Sequence, residues 1–361
     1  MKEILINLQL FAEAGNVVNS LTNGYVNAYT GATEAFNSTN SLAGELKTFY
    51  DTELLENARI EMFYAQFAKK QTLPARHGNT VEWRKWNTFA KADKLQEGVI
   101  PTGQKFGMST KTGSIAQYGT YAAITDTLEL RAYDDTILGA TEEMGASAAE
   151  TQETLIRDAL LVNTNVLYCD NVTLASGATA AVANCAAMEA SATVISLLTP
   201  AMVAKAVTKM KKDRVPTING KYYAVIHPSV AHDLRNSDEW LEAHKYSAAG
   251  EIFNGEIGEL HGVRFVENVF APILGGTDYQ NKAGTVTYAT YFFGKDAFGI
   301  IDPEGGALEM IVKDKSQAGG PLNQFSTVGY KFETNGATIL YPERVLRVMS
   351  CSTFSGTDET N

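Results

Sequence analysis

The feature of this sequence that most constrains its fold is a long helical periodicity in its first half. From Ile137 to Val166, apolar and small residues recur every three or four positions, which predicts a single helix of about thirty residues. At 1.5 Å per residue such a helix is ~45 Å long, which suits a spine better than one member of a compact bundle. Asp126 and Asp134 are predicted to be the N-caps of a short helix and of this long one.

A β-hairpin is predicted before the spine helix. Two strand-like runs, 80–87 and 114–124, flank a polar middle that contains Gly98, Pro101 and Gly103, which predicts a long hairpin with a wide tip. A two-stranded ribbon of this length is marginally stable alone, so it needs a surface to lie on.

The charges of these two segments are opposite. Residues 69–111 contain nine Lys or Arg and three acidic residues, whereas 134–163 contain seven acidic residues and one Arg. The pattern fits two complementary contact surfaces or two separately solvated charged faces, although tryptophans beside an arginine are typical of interface anchors. The candidate contact residues are Arg76, Trp83, Arg84, Lys85, Trp86, Lys91 and Lys94 in the hairpin, and Asp135, Glu142, Glu143, Glu150 and Glu153 in the helix.

Composition narrows the class of protein. The chain has 361 residues, enough for about two domains, and its formal net charge of −11 disfavours nucleic-acid binding. Cys169, Cys185 and Cys351 lack metal-ligand spacing and cannot all pair, which favours a reducing compartment. Since no apolar run reaches about 18 residues and polar residues interrupt the apolar N-terminal stretch, neither a membrane span nor a signal peptide is predicted.

The remaining segments predict a mixed fold. Residues 12–40 are small and polar, which indicates an extended or disordered arm, and 42–68 have the periodicity of an amphipathic helix. Thr199-Pro200 begins a helix that ends near Lys212. Beyond residue 220 strands are predicted at 222–227, 263–267, 289–293, 308–313, 328–332 and 337–349, with a short helix near 229–235. The fold class is therefore α+β.

No catalytic constellation is recognisable in the sequence. His227, His232, His244 and His261 fall within 35 residues, but none has the i, i+4 spacing that places two imidazoles on one helical face. The run from Gly98 to Lys105 differs from a phosphate-binding loop because Gln104 stands where the lysine is required. We predict no catalytic, cofactor-binding or metal-binding residue, and no cofactor.

The order of several motifs resembles one family of viral proteins. The motifs are INLQLFAE, ELKTFYDTELLENAR, TVEWRKWN, LQEGVIPTG, ITDTLEL, NGKYYAVIHPSVAHDL, NGEIGELHGVRFVE, FFGKDAFGI and PLNQFSTVGYKF. Together they resemble the major capsid proteins of tailed bacteriophages, in the branch that includes the coliphage N-four coat protein. The resemblance covers nearly all of residues 41–350 in consistent order.

This resemblance implies the Hong Kong 97-like capsid fold. It implies an N-terminal arm and helix (1–69), an extended β-hairpin loop (70–125), a peripheral domain with the spine helix (126–189 and 289–350), an axial domain (190–288) and a C-terminal tail (351–361). The implied function is self-assembly through hexamers and pentamers into an icosahedral capsid around double-stranded phage DNA, in the host bacterial cytoplasm. Portal, scaffolding and cement or decoration proteins are the implied further partners, and the extended loop is expected to lie across a neighbouring subunit.

Two alternatives stay open at this point. A bacterial encapsulin-type nanocompartment would share the fold but enclose cargo enzymes. A metal-dependent enzyme would need His227, His232 or His261 as ligands.

Overall fold

The computed structural model divides into two compact units, Met1–Ala58 and Arg59–Asn361. The described residues are 24–26, 33–35, 63–92, 94–95, 97–98, 100, 103–132, 135–174, 179–240, 258–276, 278–306, 308–318 and 322–361. In the first unit, β1 (Gly24–Val26) pairs antiparallel with β2 (Thr33–Ala35). The rest of the predicted arm, and residues 42–62 of the predicted helix, lie outside the described residues; Tyr64–Phe67 forms a 3₁₀ turn.

The second unit combines short helices, one long helix and many strands. The helices are α1 (Asp126–Arg131), α2 (Thr136–Leu161), α3 (Pro200–Lys212) and α4 (Pro228–Arg235). The strands are β3 (Lys69–Leu73), β4 (Thr80–Trp86), β5 (Met108–Ser114), β6 (Ala116–Thr125), β7 (Val166–Tyr168), β8 (Asn171–Thr173), β9 (Thr179–Ala180), β10 (Val194–Ile195), β11 (Tyr222–Ile226), β12 (Gly258–Leu260), β13 (Val263–Glu267), β14 (Ile273–Leu274), β15 (Thr287–Phe293), β16 (Phe298–Pro303), β17 (Glu309–Lys313), β18 (Phe325–Thr334), β19 (Thr338–Ile339) and β20 (Val345–Ser350). Among the described residues, no helix is both long and apolar enough to cross a membrane.

The largest sheet forms the main core. Its strand order is β12-β13-β11-β15-β20-β7, with β14 paired to β15. Every residue of β15 is buried, because α3 and α4 cover one face of the sheet and a second apolar cluster covers the other. Since β15 and β20 pair beside β11 and β13, the domain boundary expected at residue 288 falls inside one sheet.

The predicted helix over 200–212 is confirmed. The hydroxyl of Thr199 accepts a hydrogen bond from the Met202 amide, and Pro200 occupies the first turn, where a missing amide hydrogen costs no helical bond. Lysines at the last turn complement the helix dipole. The strand predicted over 337–349 is wrong in part, since Pro342–Arg344 forms a 3₁₀ turn that separates β19 from β20.

The long helix α2 lies on a smaller sheet of order β17-β18-β6. Residues of β18 alternate in burial, and Tyr330 and Phe332 pack against the helix around Ala148. The Tyr330 hydroxyl also lies 3.2 Å from the Ser147 hydroxyl. This contact gives the long helix the tertiary support that a solitary helix of its length lacks.

The helix boundaries differ from the sequence prediction. Thr125, not Asp126, caps α1. Asp135 caps α2, where its Oδ1 accepts hydrogen bonds from two amides of the first turn, and residue 134 lies outside the described residues. The helix ends at Leu161, five residues before the predicted end at Val166. Val166 instead belongs to β7 at the edge of the main sheet.

The hairpin pairs differently from the prediction. The strand β4 pairs with β5, from Thr80 opposite Ser114 to Trp86 opposite Met108, rather than with the predicted run 114–124. That run forms most of β6, which pairs with β18 over ten residues. The physical reason is that Tyr118, Ala122 and Ile124 alternate as a half-buried strand and need the face that α2 covers.

Candidate inter-subunit surfaces

The base of the hairpin is fixed to its own subunit through Trp83. The indole lies over Gly299 of β16 so closely that a Cβ atom there would be 2.8 Å from its Cζ2. A Cβ atom on Gly113 would be 2.9 Å from its Cζ3. Glycine at both positions therefore lets the ring pack directly on the backbone, and Trp83 is only half-exposed.

Lys85 also contacts its own subunit. Its Nζ lies 3.6 Å from Glu343 Oε1 and 4.5 Å from the centre of the Tyr341 ring. The guanidinium carbon of Arg344 is 3.7 Å from the centre of that ring. The two cations and the ring hold the hairpin base near the turn before β20.

The tip of the hairpin carries an exposed stack of three aromatic rings. The ring centres of Trp86 and Phe106 are 4.2 Å apart at an interplanar angle of 17°, and those of Phe89 and Phe106 are 5.3 Å apart at 15°. Each of the three residues is more than half exposed. Lys91 and Lys94 are exposed in the same tip, so this region is basic, apolar and accessible.

The other two basic candidates lie outside the tip. Arg84 is exposed and lies 3.6 Å from Glu82 on the same strand. Arg76 occupies the turn between β3 and β4 with φ of +69°, and lines a cavity of about 440 Å³ at the hairpin root with Glu304 and Glu333.

The acidic candidates on α2 have different environments. Asp135 is exposed but acts as the helix cap, and Glu142, Glu143 and Glu150 are exposed along the helix. Glu153 is fully buried. Glu153 is therefore not exposed to a neighbour, and the inter-subunit contacts predicted for the other four residues stay predictions.

Glu153 instead joins three distant parts of the subunit. Its Oε1 accepts hydrogen bonds from the Phe63 amide (3.0 Å), the Tyr64 amide (3.2 Å) and Asn268 Nδ2 (2.9 Å). Its Oε2 has no hydrogen-bond partner within the described part of the chain. Burial raises the pKa of Glu153 above its ordinary value, and the three donors oppose that rise.

The described histidines do not assemble a metal centre, and His244 lies outside the described residues. In the ranges that the structure describes, no group of three His, Cys, Asp or Glu side chains could hold a metal ion. His227 is buried and caps α4 by accepting from the Ser229 amide, and burial lowers its pKa. His232 lies on α4, and His261 occupies a turn with φ of +52°. The cysteines are buried thiols, and burial raises the pKa of Cys351 to about 11.

Sequence reasoning missed several residues of these surfaces. Phe89 and Phe106 complete the tip stack, and Tyr341, Glu343 and Gly299 hold the base. Only the aromatic residues of the tip could have been found from the sequence, because apolar side chains in a segment predicted to be exposed indicate a contact surface.

Comparisons with known proteins find phage capsid proteins. The model of a family described as phage capsid protein matches residues 109–335. The fold is similar to the capsid structure of cyanophage Pam1, with a TM-score of 0.67, 14% identity, and coverage of 87% of this chain and 98% of that chain. It is also similar to the capsid of Helicobacter pylori bacteriophage KHP30, with a TM-score of 0.64, 11% identity, and coverage of 87% and 97%. No curated protein sequence matches the chain.

Proposed function

This chain belongs to the phage capsid protein family, and from that premise we propose that it assembles by laying the hairpin of one subunit across helix α2 of a neighbour. The interpretation of the chain as a structural capsid subunit with the Hong Kong 97-like fold is confirmed by the family and by the capsid structures that share this fold. They do not favour the encapsulin alternative. The family implies a structural role in the virion capsid.

One observation carries the proposal about the hairpin: its base and its tip lie in different environments. Trp83 and Lys85 contact their own subunit. The aromatic rings of the tip, together with Lys91 and Lys94, are exposed to solvent. Aromatic side chains are enriched in protein interfaces, and Trp is among the residues that most often anchor them. The exposed carboxylates of α2 offer a surface of opposite charge.

The same proposal extends from the contact between two subunits to the assembled capsid. Hexamers and pentamers would close into an icosahedral shell around double-stranded DNA, with portal, scaffolding and cement or decoration proteins as further partners. The net charge of −11 supports a wall that does not adhere to DNA. Assembly in the host cytoplasm agrees with three buried thiols.

Charge reversal tests the proposed contact. We expect the triple variant R84E/K91E/K94E to keep the folded subunit, because these side chains are exposed, and to reduce capsomer formation at least about tenfold. Light scattering and negative-stain microscopy measure the assembly, and thermal unfolding measures the fold. Lys85 is left intact because its contact with Glu343 is internal.

Two comparisons make the result specific. The control R214E/K295E/K313E makes the same change in net charge at exposed positions outside the hairpin and should assemble normally. Mixing the hairpin variant with E142K/E143K/E150K subunits should restore part of the assembly. Normal capsomers from the hairpin variant would refute the contact, and a wild-type chain that stays a 39.1 kDa monomer would refute self-assembly itself.

A further inference from the structure

A groove beside the middle of α2 has the properties of a docking site. Its volume is about 290 Å³, and it lies between the helix and residues of β16 and β18. Its apolar lining includes Ala148, Ile300, Ile301 and Phe332, and Leu308 lies at the rim with 52% of its surface exposed. We call this feature the α2 groove.

Gly145 keeps the α2 groove open. A Cβ atom built on Gly145 would meet no described atom within 4 Å, so packing inside the subunit does not require glycine there. Glycine in a helix interior is nevertheless less favourable than alanine. Gly139 shares this cost without lining the groove, so Gly145 differs in that the open space beside it continues into the groove, where a side chain from outside the subunit fits.

The charged rim of the groove is mainly acidic. Asp302 and Glu333 line it, and Lys70 is the basic side chain in the lining. Glu142 lies three residues before Gly145 and therefore on the same face of the helix. The groove is thus apolar at its floor and acidic at its margin, which selects a partner that is apolar and basic.

We propose that the α2 groove of one subunit receives the ring stack of Trp86, Phe106 and Phe89 from a second copy of this chain. The stack is already ordered in the free subunit, so little side-chain entropy is lost when it binds. Lys91, Lys94 and Lys105 are exposed in the same tip and complement the acidic rim. This inference rests on the proposed function and specifies where on α2 the hairpin of the neighbour is anchored.

Filling the groove from the helix side tests the proposal. We expect Gly145→Leu to fold normally, since leucine favours helix and open space surrounds this position, and to reduce capsomer formation about tenfold or more. Gly139→Leu is the matched control, because Gly139 is a second glycine of α2 with open space around its Cβ position but does not line the groove. It should assemble like the wild type.

Two further measurements identify the occupant. Tryptophan emission of the wild type should shift to shorter wavelength on assembly as Trp86 is buried, and the shift should be absent from assembled W86F chains. The variant W86S/F106S should lose assembly to the same extent as Gly145→Leu.

Each result decides between the alternatives. If Gly145→Leu assembles like Gly139→Leu, the groove is not the site and the proposed function still stands. If Gly145→Leu fails while W86S/F106S assembles, another segment of the chain fills the groove and the inference is overturned. Failure of the wild type to form capsomers would instead refute the proposed function.

Discussion

In each of the two predicted contact surfaces, residues that are close in sequence differ in their exposure to solvent. Trp83 packs on the glycines of its own subunit, whereas Trp86, three residues later, is 61% exposed. Glu150 is exposed on α2, whereas Glu153, again three residues later, is buried and binds two amides and an asparagine. Residue type therefore predicts both surfaces but not which members remain available to a partner.

The two tryptophans and the two glutamates differ in exposure for different reasons. Successive side chains of a strand point to opposite faces, so Trp83 and Trp86 lie on opposite sides of β4, and only one side meets β16. The two glutamates are almost one helical turn apart, and burial of Glu153 depends on the 3₁₀ turn at Tyr64–Phe67 and on Asn268. The difference between the tryptophans comes from local strand geometry, and the difference between the glutamates comes from tertiary contacts.

The largest expected effect is at Glu153. We expect Glu153→Ala to lower the free energy of unfolding by about 3 kcal/mol, because it leaves two buried donors and one partly buried donor without an acceptor, at ~1–3 kcal/mol for each buried donor. Glu150→Ala should change the free energy of unfolding by less than about 0.5 kcal/mol, as exposed positions usually do. Urea unfolding measures both, and equal losses would show that the two residues do not differ as described.

An effect of similar size is expected at the hairpin base. We expect Trp83→Ala to lower the free energy of unfolding by about 3 kcal/mol, since it removes the ring packed on Gly299 and Gly113. Trp86→Ala should cost less than about 1 kcal/mol in the isolated subunit, because its ring is mostly in water. A larger loss for Trp86→Ala under the same urea conditions would reverse the comparison of base and tip.

The smallest expected effect is a pH dependence from Glu153. Because its pKa is raised in the folded subunit, its contribution to stability is complete below the unfolded pKa and is lost as pH rises through the folded pKa. Glu153→Gln keeps an acceptor oxygen and does not ionise. We therefore expect the Tm of this variant, relative to that of the wild type, to increase as the pH rises above the ordinary glutamate pKa of about 4.3.

Thermal unfolding at several pH values checks this sign. Glu150→Gln is the control and should show no such trend, since Glu150 is exposed. A Tm difference for Glu153→Gln that is constant or decreases as pH rises would contradict the stated effect of burial.

Local sequence patterns are sufficient to locate the main elements and to assign their charges. Periodicity located α2, and cap and proline signals located α3, because these depend on residues within a few positions of one another. The opposite charges of the hairpin and α2 are fixed by composition alone. The ordered motifs identified the capsid family before any fold was available.

Strand pairing and the accessibility of the candidate contact residues depend instead on the folded subunit. The pairing of β6 with β18 joins segments about 200 residues apart, and no local pattern specifies such a partner. The burial of Glu153, the fit of Trp83 on Gly299 and the open space at Gly145 likewise depend on side chains brought together by folding. The physical reason is that propensity and charge belong to short segments, whereas burial belongs to the whole packed subunit.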